Sequence, residues 1–269
     1  MRVAEKGVVY LVGAGPGDPE LLTLRAASLL ASADIVLHDD LVPQAVLDYV
    51  HAGALIVSVG KRCGSKRITQ PQIHTLMIEA ARSGQSVVRL KSGDPLIFGR
   101  AGEEIQALRN AAVPYEVVSG ITSAFAAAAA LGISLTDRRS ASKVIFVTGH
   151  QAAHGASRES LDEKNDRSLW RGTLPEDATL VVYMPGRDYR ALTNDLRESG
   201  ISTDMPCIEV SRAGQPQQQT RTATLQQLAA MEPAAAPVLL LIGRPLGTLL
   251  DGEEVLPEFV DMLTLADVR

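Results

Sequence analysis

VVRLKSGDPLIFGRAGEE, residues Val87 to Glu104, opens as an apolar run carried by Val87, Val88 and Leu90 and reads as a buried strand. The run breaks at Ser92-Gly93-Asp94-Pro95, and a helix is expected to follow with Glu103 and Glu104 near its start. A strand, a Gly-Pro break and a helix N-terminus in succession place a loop at the carboxyl edge of a sheet, where open α/β folds bind ligands. Gly93 lets the backbone approach a bound group closely because it lacks a Cβ. Asp94 offers a short acceptor, Ile97 and Phe98 an apolar wall, and Arg100 a bidentate donor. Spacing alone also allows an ordinary connection with a solvated arginine.

Outward from this stretch, 269 residues suffice for one large domain or two ordinary ones. Hydrophobic residues make up 46% and charged residues 21%, as in soluble globular proteins. Aromatics at 4% argue against stacking platforms for single-stranded nucleic acid, and a net charge of −5 against general attraction to nucleic acid or anionic membrane. Any anionic ligand must then be held by local basic clusters. Cys63 and Cys207 form no C-x-x-C, so neither a disulfide framework nor a zinc site is indicated. The N-terminus lacks a signal-peptide shape, and the apolar stretch Ala124 to Leu135 is too short to span a bilayer. The expectation is a soluble, reduced, cytoplasmic α/β protein.

Val8 to Val12 reads as a first strand that runs into Gly13-Ala14-Gly15-Pro16-Gly17-Asp18-Pro19. Asp18 suits an N-cap and Pro19 the first helical position, with Leu22, Ala26, Leu29 and Leu30 forming one apolar helix face. The spacing is G-x-G-x-G, and a carboxylate stands where G-x-G-x-x-G has its last glycine. A pyrophosphate wants bare N–H groups there, so a nucleoside-like ligand without phosphate fits better than NAD. Strands at Asp34 to Leu37 and Leu55 to Val59 end near Asp39 and Lys61. If the sheet is parallel, both residues reach the edge of the glycine loop: one carboxylate, one ammonium, one pocket. A helix over Ile73 to Ala81 and a fifth strand at Tyr115 to Val118 complete a parallel domain.

Gly120-Ile121-Thr122-Ser123-Ala124 opens the next helix, and Lys143 to Thr148 begins a second domain. Strands are expected there at Leu180 to Tyr183, Pro206 to Val210 and Val238 to Ile242, with a helix around Tyr189, Leu192 and Leu196. Residues 151–171 read as a polar insertion, and His150 with His154 lacks a third partner for a metal. The expected domains are 1–119 and 120–250, with a tail at 251–269. No G-x-S-x-G, G-x-x-x-x-G-K-[ST] or H-E-x-x-H is present, which argues against a serine hydrolase, a P-loop NTPase and a zinc protease. Residue chemistry alone leads to group transfer onto an anionic substrate.

From Val8 to Gly243 the chain resembles the uroporphyrinogen-III C-methyltransferase family, within the tetrapyrrole methyltransferases. VYLVGAGPGDPELLTLRA (Val9 to Ala26) is similar to the opening of the whole class. More specific are HDDLV (His38 to Val42), GKR (Gly60 to Arg62), RLKSGDPLIFGRAGEE (Arg89 to Glu104), SGITSA (Ser119 to Ala124), VTGH (Val147 to His150) and VYMPG (Val182 to Gly186). The resemblance implies two α/β domains of the tetrapyrrole methylase type with S-adenosylmethionine between them, and no metal. By position the cofactor would touch Pro16, Ser92, Gly93, Asp94, Ile97, Thr122, Ser123, Met184 and Ala213. Asp39 matches the family's proton acceptor and Lys61 its donor, while Arg100, Glu103 and Arg138 match positions that hold the tetrapyrrole. Arg62, Lys66 and Arg67 are further candidates for its carboxylates. Ser92 departs from a family glycine and Asp137 from a family histidine.

The implied reaction is methylation of uroporphyrinogen III at ring carbons two and seven, giving precorrin-2, by a monofunctional homodimer. A later precorrin methyltransferase, a non-catalytic nucleoside-sensing module and a nicotinamide oxidoreductase are the rival readings.

Overall fold

Strand β1 (Val9–Gly13) is buried along its whole length because it is hydrogen-bonded on both sides and covered on both faces. The structure, a computed structural model, describes residues 2–60, 68–149 and 172–249. Within them the chain divides into two compact units, the first holding residues 2–127 with Arg212–Gln218, the second the remainder from Ala128. Helix α5 (Ser123–Ala130) straddles the division.

The first unit carries a sheet of β1, β2 (Ile35–His38), β3 (Leu55–Ser58), β4 (Val87–Lys91) and β5 (Tyr115–Val118), in the order β3-β2-β4-β1-β5. Every pairing is parallel, as the sequence leads one to expect. Alternation sorts the side chains by face. Tyr10, Val12, Val36, Val88 and Leu90 pack against Ala26, Leu29 and Leu30 of α1 (Leu24–Leu30) and Val46 of α2 (Gln44–Leu47). Val9, Leu11, Leu37 and Val87 pack against Ile73 and Met77 of α3 (Gln70–Arg82) and Leu108 of α4 (Ala101–Asn110). Thr69 and Gln72 start α3 with a reciprocal capping box.

The helix expected directly after the glycine loop is in fact divided. Asp18 caps only a 3-10 turn over Pro19–Leu21, and α1 begins afresh at Leu24 with Thr23 as its N-cap. Two capping side chains five residues apart each satisfy their own N–H group, so the chain turns twice.

In the second unit, β6 (Lys143–Thr148), β7 (Ala178–Tyr183), β8 (Pro206–Ser211), β9 (Gln219–Thr224) and β10 (Val238–Ile242) pair in the order β6-β7-β10-β8-β9. Only β6 and β7 are parallel. Strand β9, QTRTAT, is not legible as a strand because it is an edge with a largely exposed surface and no apolar alternation. Helix α6 (Tyr189–Glu198) covers this sheet with Tyr189, Leu192 and Leu196, joined by Leu225 and Leu228 of α7 (Leu225–Leu228). Buried Glu209 accepts from Tyr189 Oη at 2.6 Å and from the Ala234 N–H at 2.9 Å, and pairs with Arg221. Burial, and then the bond to Glu209, push the Tyr189 phenol well above its ordinary pKa.

Candidate active site

The loops after β1, β4 and β5 emerge at one edge, since these strands are parallel neighbours. Their backbones touch. The Gly93 N–H donates to Gly15 O at 2.7 Å and the Gly15 N–H returns to Gly93 O at 3.2 Å. A Cβ on Gly13 would stand 2.5 Å from Gly120 Cα and 2.6 Å from Gly93 O. Gly93 has φ +65°, open to glycine without strain. Pro16, Gly93 and Asp94 thus lie in one cradle, with Thr122 and Ser123 at the start of α5 beside it.

Asp94 is more than an acceptor facing a ligand. Its Oδ1 accepts from the Leu96 N–H at 2.8 Å and its Oδ2 from the Gly120 N–H at 3.0 Å, so the carboxylate laces the β4 loop to the β5 loop. Ser92 carries the family departure, and its Oγ is buried with no hydrogen-bond partner among the described residues. An orphaned buried hydroxyl in a glycine cradle fits a polar ligand such as a nucleoside. Ile97 is half-buried, and Phe98 beside it is exposed with φ +51°. Arg100, with φ +56°, occupies the N-cap of α4. Non-glycine residues in the left-handed region are held there by their surroundings and cluster at functional loops.

Ala213 is buried in the Arg212–Gln218 segment, which folds against the glycine loop: Gln215 Nε2 donates to Pro16 O at 3.4 Å. Met184 belongs to the second unit, follows β7 and has φ +48° with 47% of its surface exposed. Arg138 is also in the second unit and exposed. Its neighbour Asp137, the other departure, pairs with Arg139 at 2.8 Å and is held by it at a pKa of about 2. Arg100 is bonded through Nε and Nη2 to both Glu103 oxygens at 2.7 Å, which lowers the Glu103 pKa. Lys61, Arg62, Lys66, Arg67, His150, His154 and the polar insertion lie outside the described residues.

Asp39 follows β2, and its N–H donates to Leu90 O at 3.1 Å, which sets it at the same edge as the cradle. Its carboxylate is paired with Arg89 of β4. Sequence reasoning passed over Arg89, Lys91 and Glu104 as chemistry. Arg89 Nε lies 3.0 Å from Glu104 Oε1 and Lys91 Nζ 2.9 Å from Glu104 Oε2, with all three side chains 3% exposed or less. Burial, with the Arg89 charge next, pushes the Lys91 ammonium below its ordinary pKa. The signal was two basic residues at alternate positions of a strand buried on both faces, which demand a counter-charge. Among the described residues no group of His, Cys, Asp and Glu could hold a metal, and no helix is long and apolar enough to cross a membrane.

The chain is similar to known proteins over most of its length. Residues 8–229 match the family model of the tetrapyrrole (corrin/porphyrin) methylases. The chain is 42% identical over 243 residues to uroporphyrinogen-III C-methyltransferase of Paracoccus denitrificans, covering 89% of this chain and 82% of that protein. It is 42% identical over 240 residues to siroheme synthase 1 of Klebsiella pneumoniae, where the match covers 89% of this chain but 49% of the relative, so it spans about half of that protein. The solved structure of uroporphyrin-III C-methyl transferase from Thermus thermophilus complexed with S-adenyl homocysteine superposes with a TM-score of 0.71 at 37% identity, covering 87% of this chain and 91% of that one. With a family model over most of its length and a relative matched along four-fifths of its own, the chain belongs to the tetrapyrrole methylases.

Proposed function

We propose that the chain is an S-adenosylmethionine-dependent C-methyltransferase that methylates uroporphyrinogen III twice, at ring carbons two and seven, yielding precorrin-2 and S-adenosylhomocysteine. The observation that carries the reading is Asp39, a partly exposed carboxylate at the edge that also bears the glycine cradle, in a chain 42% identical to a uroporphyrinogen-III C-methyltransferase. Pro16, Ser92, Gly93, Asp94, Ile97, Thr122, Ser123, Met184 and Ala213 are the residues we assign to the methyl donor. When bound, that donor supplies a sulfonium methyl whose carbon–sulfur bond breaks, the electron pair staying on sulfur, as a new carbon–carbon bond forms.

The chain's own residues have less to do chemically than to align, since the methyl is already electrophilic. Attack leaves the methylated carbon fully substituted and the ring cationic, so the ring system sheds a proton from another position, which Asp39 accepts. Lys61 is assigned as the proton donor of the tautomeric exchange that follows, in which each proton returned to one ring position is matched by one lost from another. Arg100, Glu103 and Arg138 are assigned to the substrate: its carboxylates compete with Glu103 for the Arg100 fork, an exchange of like for like. We assign the protein to the cytoplasm as a homodimer.

The test is mass spectrometry of an anaerobic reaction of the purified protein, uroporphyrinogen III and S-adenosylmethionine. A product heavier by two methyl groups is expected. One added methyl would limit the enzyme to half the reaction. None, with S-adenosylhomocysteine still bound, would overturn the substrate and favour a later precorrin or a sensing role.

A further inference from the structure

We propose that Arg89 is the positioning residue of the site: it fixes the Asp39 carboxylate relative to the glycine cradle, with buried Glu104 and Lys91 as its counterweight. This rests on the reading of Asp39 as proton acceptor. All three guanidinium nitrogens of Arg89 are engaged. Nε donates to Glu104 Oε1 at 3.0 Å, Nη1 to Leu37 O at 3.3 Å and Leu90 O at 3.1 Å, and Nη2 to Asp39 Oδ1. A fork held at every nitrogen cannot swing, so the carboxylate it grips is fixed as well. Leu90 O accepts from both the Arg89 side chain and the Asp39 N–H, so backbone and side chain of Asp39 take their position from the same strand. That strand ends in Ser92-Gly93-Asp94, one wall of the cradle.

The charges balance: Arg89 and Lys91 against Glu104 and Asp39. Gln70 Nε2 adds a bond to Glu104 Oε1 at 3.2 Å. Buried ion clusters of this kind are weak contributors to stability, because apolar residues of similar volume would do as well. What apolar residues could not do is hold a carboxylate by one oxygen. Among the described residues Asp39 is held through Oδ1 and nothing is bonded to Oδ2, and the side chain is 31% exposed. One oxygen anchors and the other receives.

The experiment is steady-state methylation by the full chain, with Arg89→Lys, Asp39→Ala and the double variant, each checked for fold by circular dichroism and for S-adenosylhomocysteine affinity by calorimetry. Arg89→Lys keeps the charge but not the fork. We expect it to lower kcat by on the order of 10–100-fold with KM and the dissociation constant unchanged, since small misplacements cost that much. In the Asp39→Ala background it should cost nothing further, the mark of two residues acting as one unit. An unchanged kcat in Arg89→Lys, or an equal loss in both backgrounds, would overturn the positioning role. If Asp39→Ala itself turns over at the wild-type rate, the acceptor reading fails instead. Should Arg89→Lys not fold, Glu104→Gln, which keeps an oxygen opposite Arg89 Nε, takes its place in the same cycle under the same criteria.

Discussion

Gly13 separates two uses of a glycine that a sequence cannot tell apart. The motif G-x-G-x-G suggests room for a ligand, yet a methyl group at Gly13 would stand 2.5 Å from Gly120 Cα and 2.6 Å from Gly93 O, in backbone rather than in open space. At this position the missing Cβ lets three loops touch each other. Backbone cannot step aside as a flexible side chain can, so Gly13→Ala should lower stability by about 2–3 kcal/mol in urea unfolding, the cost of overpacking a tight site. It should also weaken S-adenosylhomocysteine binding, read by calorimetry. Gly102 in α4 is the control: a Cβ there meets nothing within 4 Å, and its backbone is helical. Gly102→Ala should gain about 0.5 kcal/mol by reducing the freedom of the unfolded chain. Equal effects at the two positions would refute the distinction.

Strand β4 shows what a pattern discloses and what it hides. Val87, Val88 and Leu90 announce a buried strand, and Gly93-Asp94-Pro95 its end, so the element and its loop were legible. Arg89 and Lys91 were not, because their counter-charge, Glu104, lies on the next helix and pairing across such a gap leaves no periodic trace. The opposite end of the sheet holds a similar tie. Asp34, just before β2, accepts from Lys6 Nζ and from the N–H and Oγ of Ser86, just before β4, at 2.6–2.7 Å. The Lys6 bond, and then Ser86, hold its pKa at about 2, down from 3.8. A carboxylate lowered on folding stabilises fully above its unfolded pKa, and this contribution is lost as pH falls from about 4 through about 2. With 30% of the side chain in water, screening leaves roughly 1 kcal/mol of it. Asp34→Asn should therefore be less stable than the parent by about that much at pH 7 and nearly equal to it at pH 2. Parallel stability curves across that window would remove Asp34 from the account.

The two units carry different kinds of sheet, and the difference decides how far each could be read. In the first, all-parallel strands buried on both faces give continuous apolar runs, and the loops that matter follow them at one edge. In the second, antiparallel pairing lets a polar edge such as β9 exist without any apolar signature, and the Arg212–Gln218 segment leaves it to pack with the first unit. The first unit also bears on which nucleoside ligand the whole chain takes. Asp18 Oδ1 accepts from the Glu20 N–H at 2.9 Å, so the chain's own carboxylate already occupies the helical turn where a pyrophosphate would sit in a dinucleotide site. A ligand without phosphate meets no such competitor, and the buried Ser92 Oγ still wants a partner. At one hundred times its dissociation constant, S-adenosylhomocysteine should add about 2.7 kcal/mol to the folded state. For a chain of this size that corresponds to a rise in melting temperature of roughly 5–10 °C. NAD at the same concentration should leave the melting temperature where it was, because its pyrophosphate would face Asp18. Differential scanning fluorimetry with both ligands decides the matter: a comparable rise with NAD would mean that Asp18 yields its turn to phosphate, and the chain would have to be reconsidered as a dinucleotide binder.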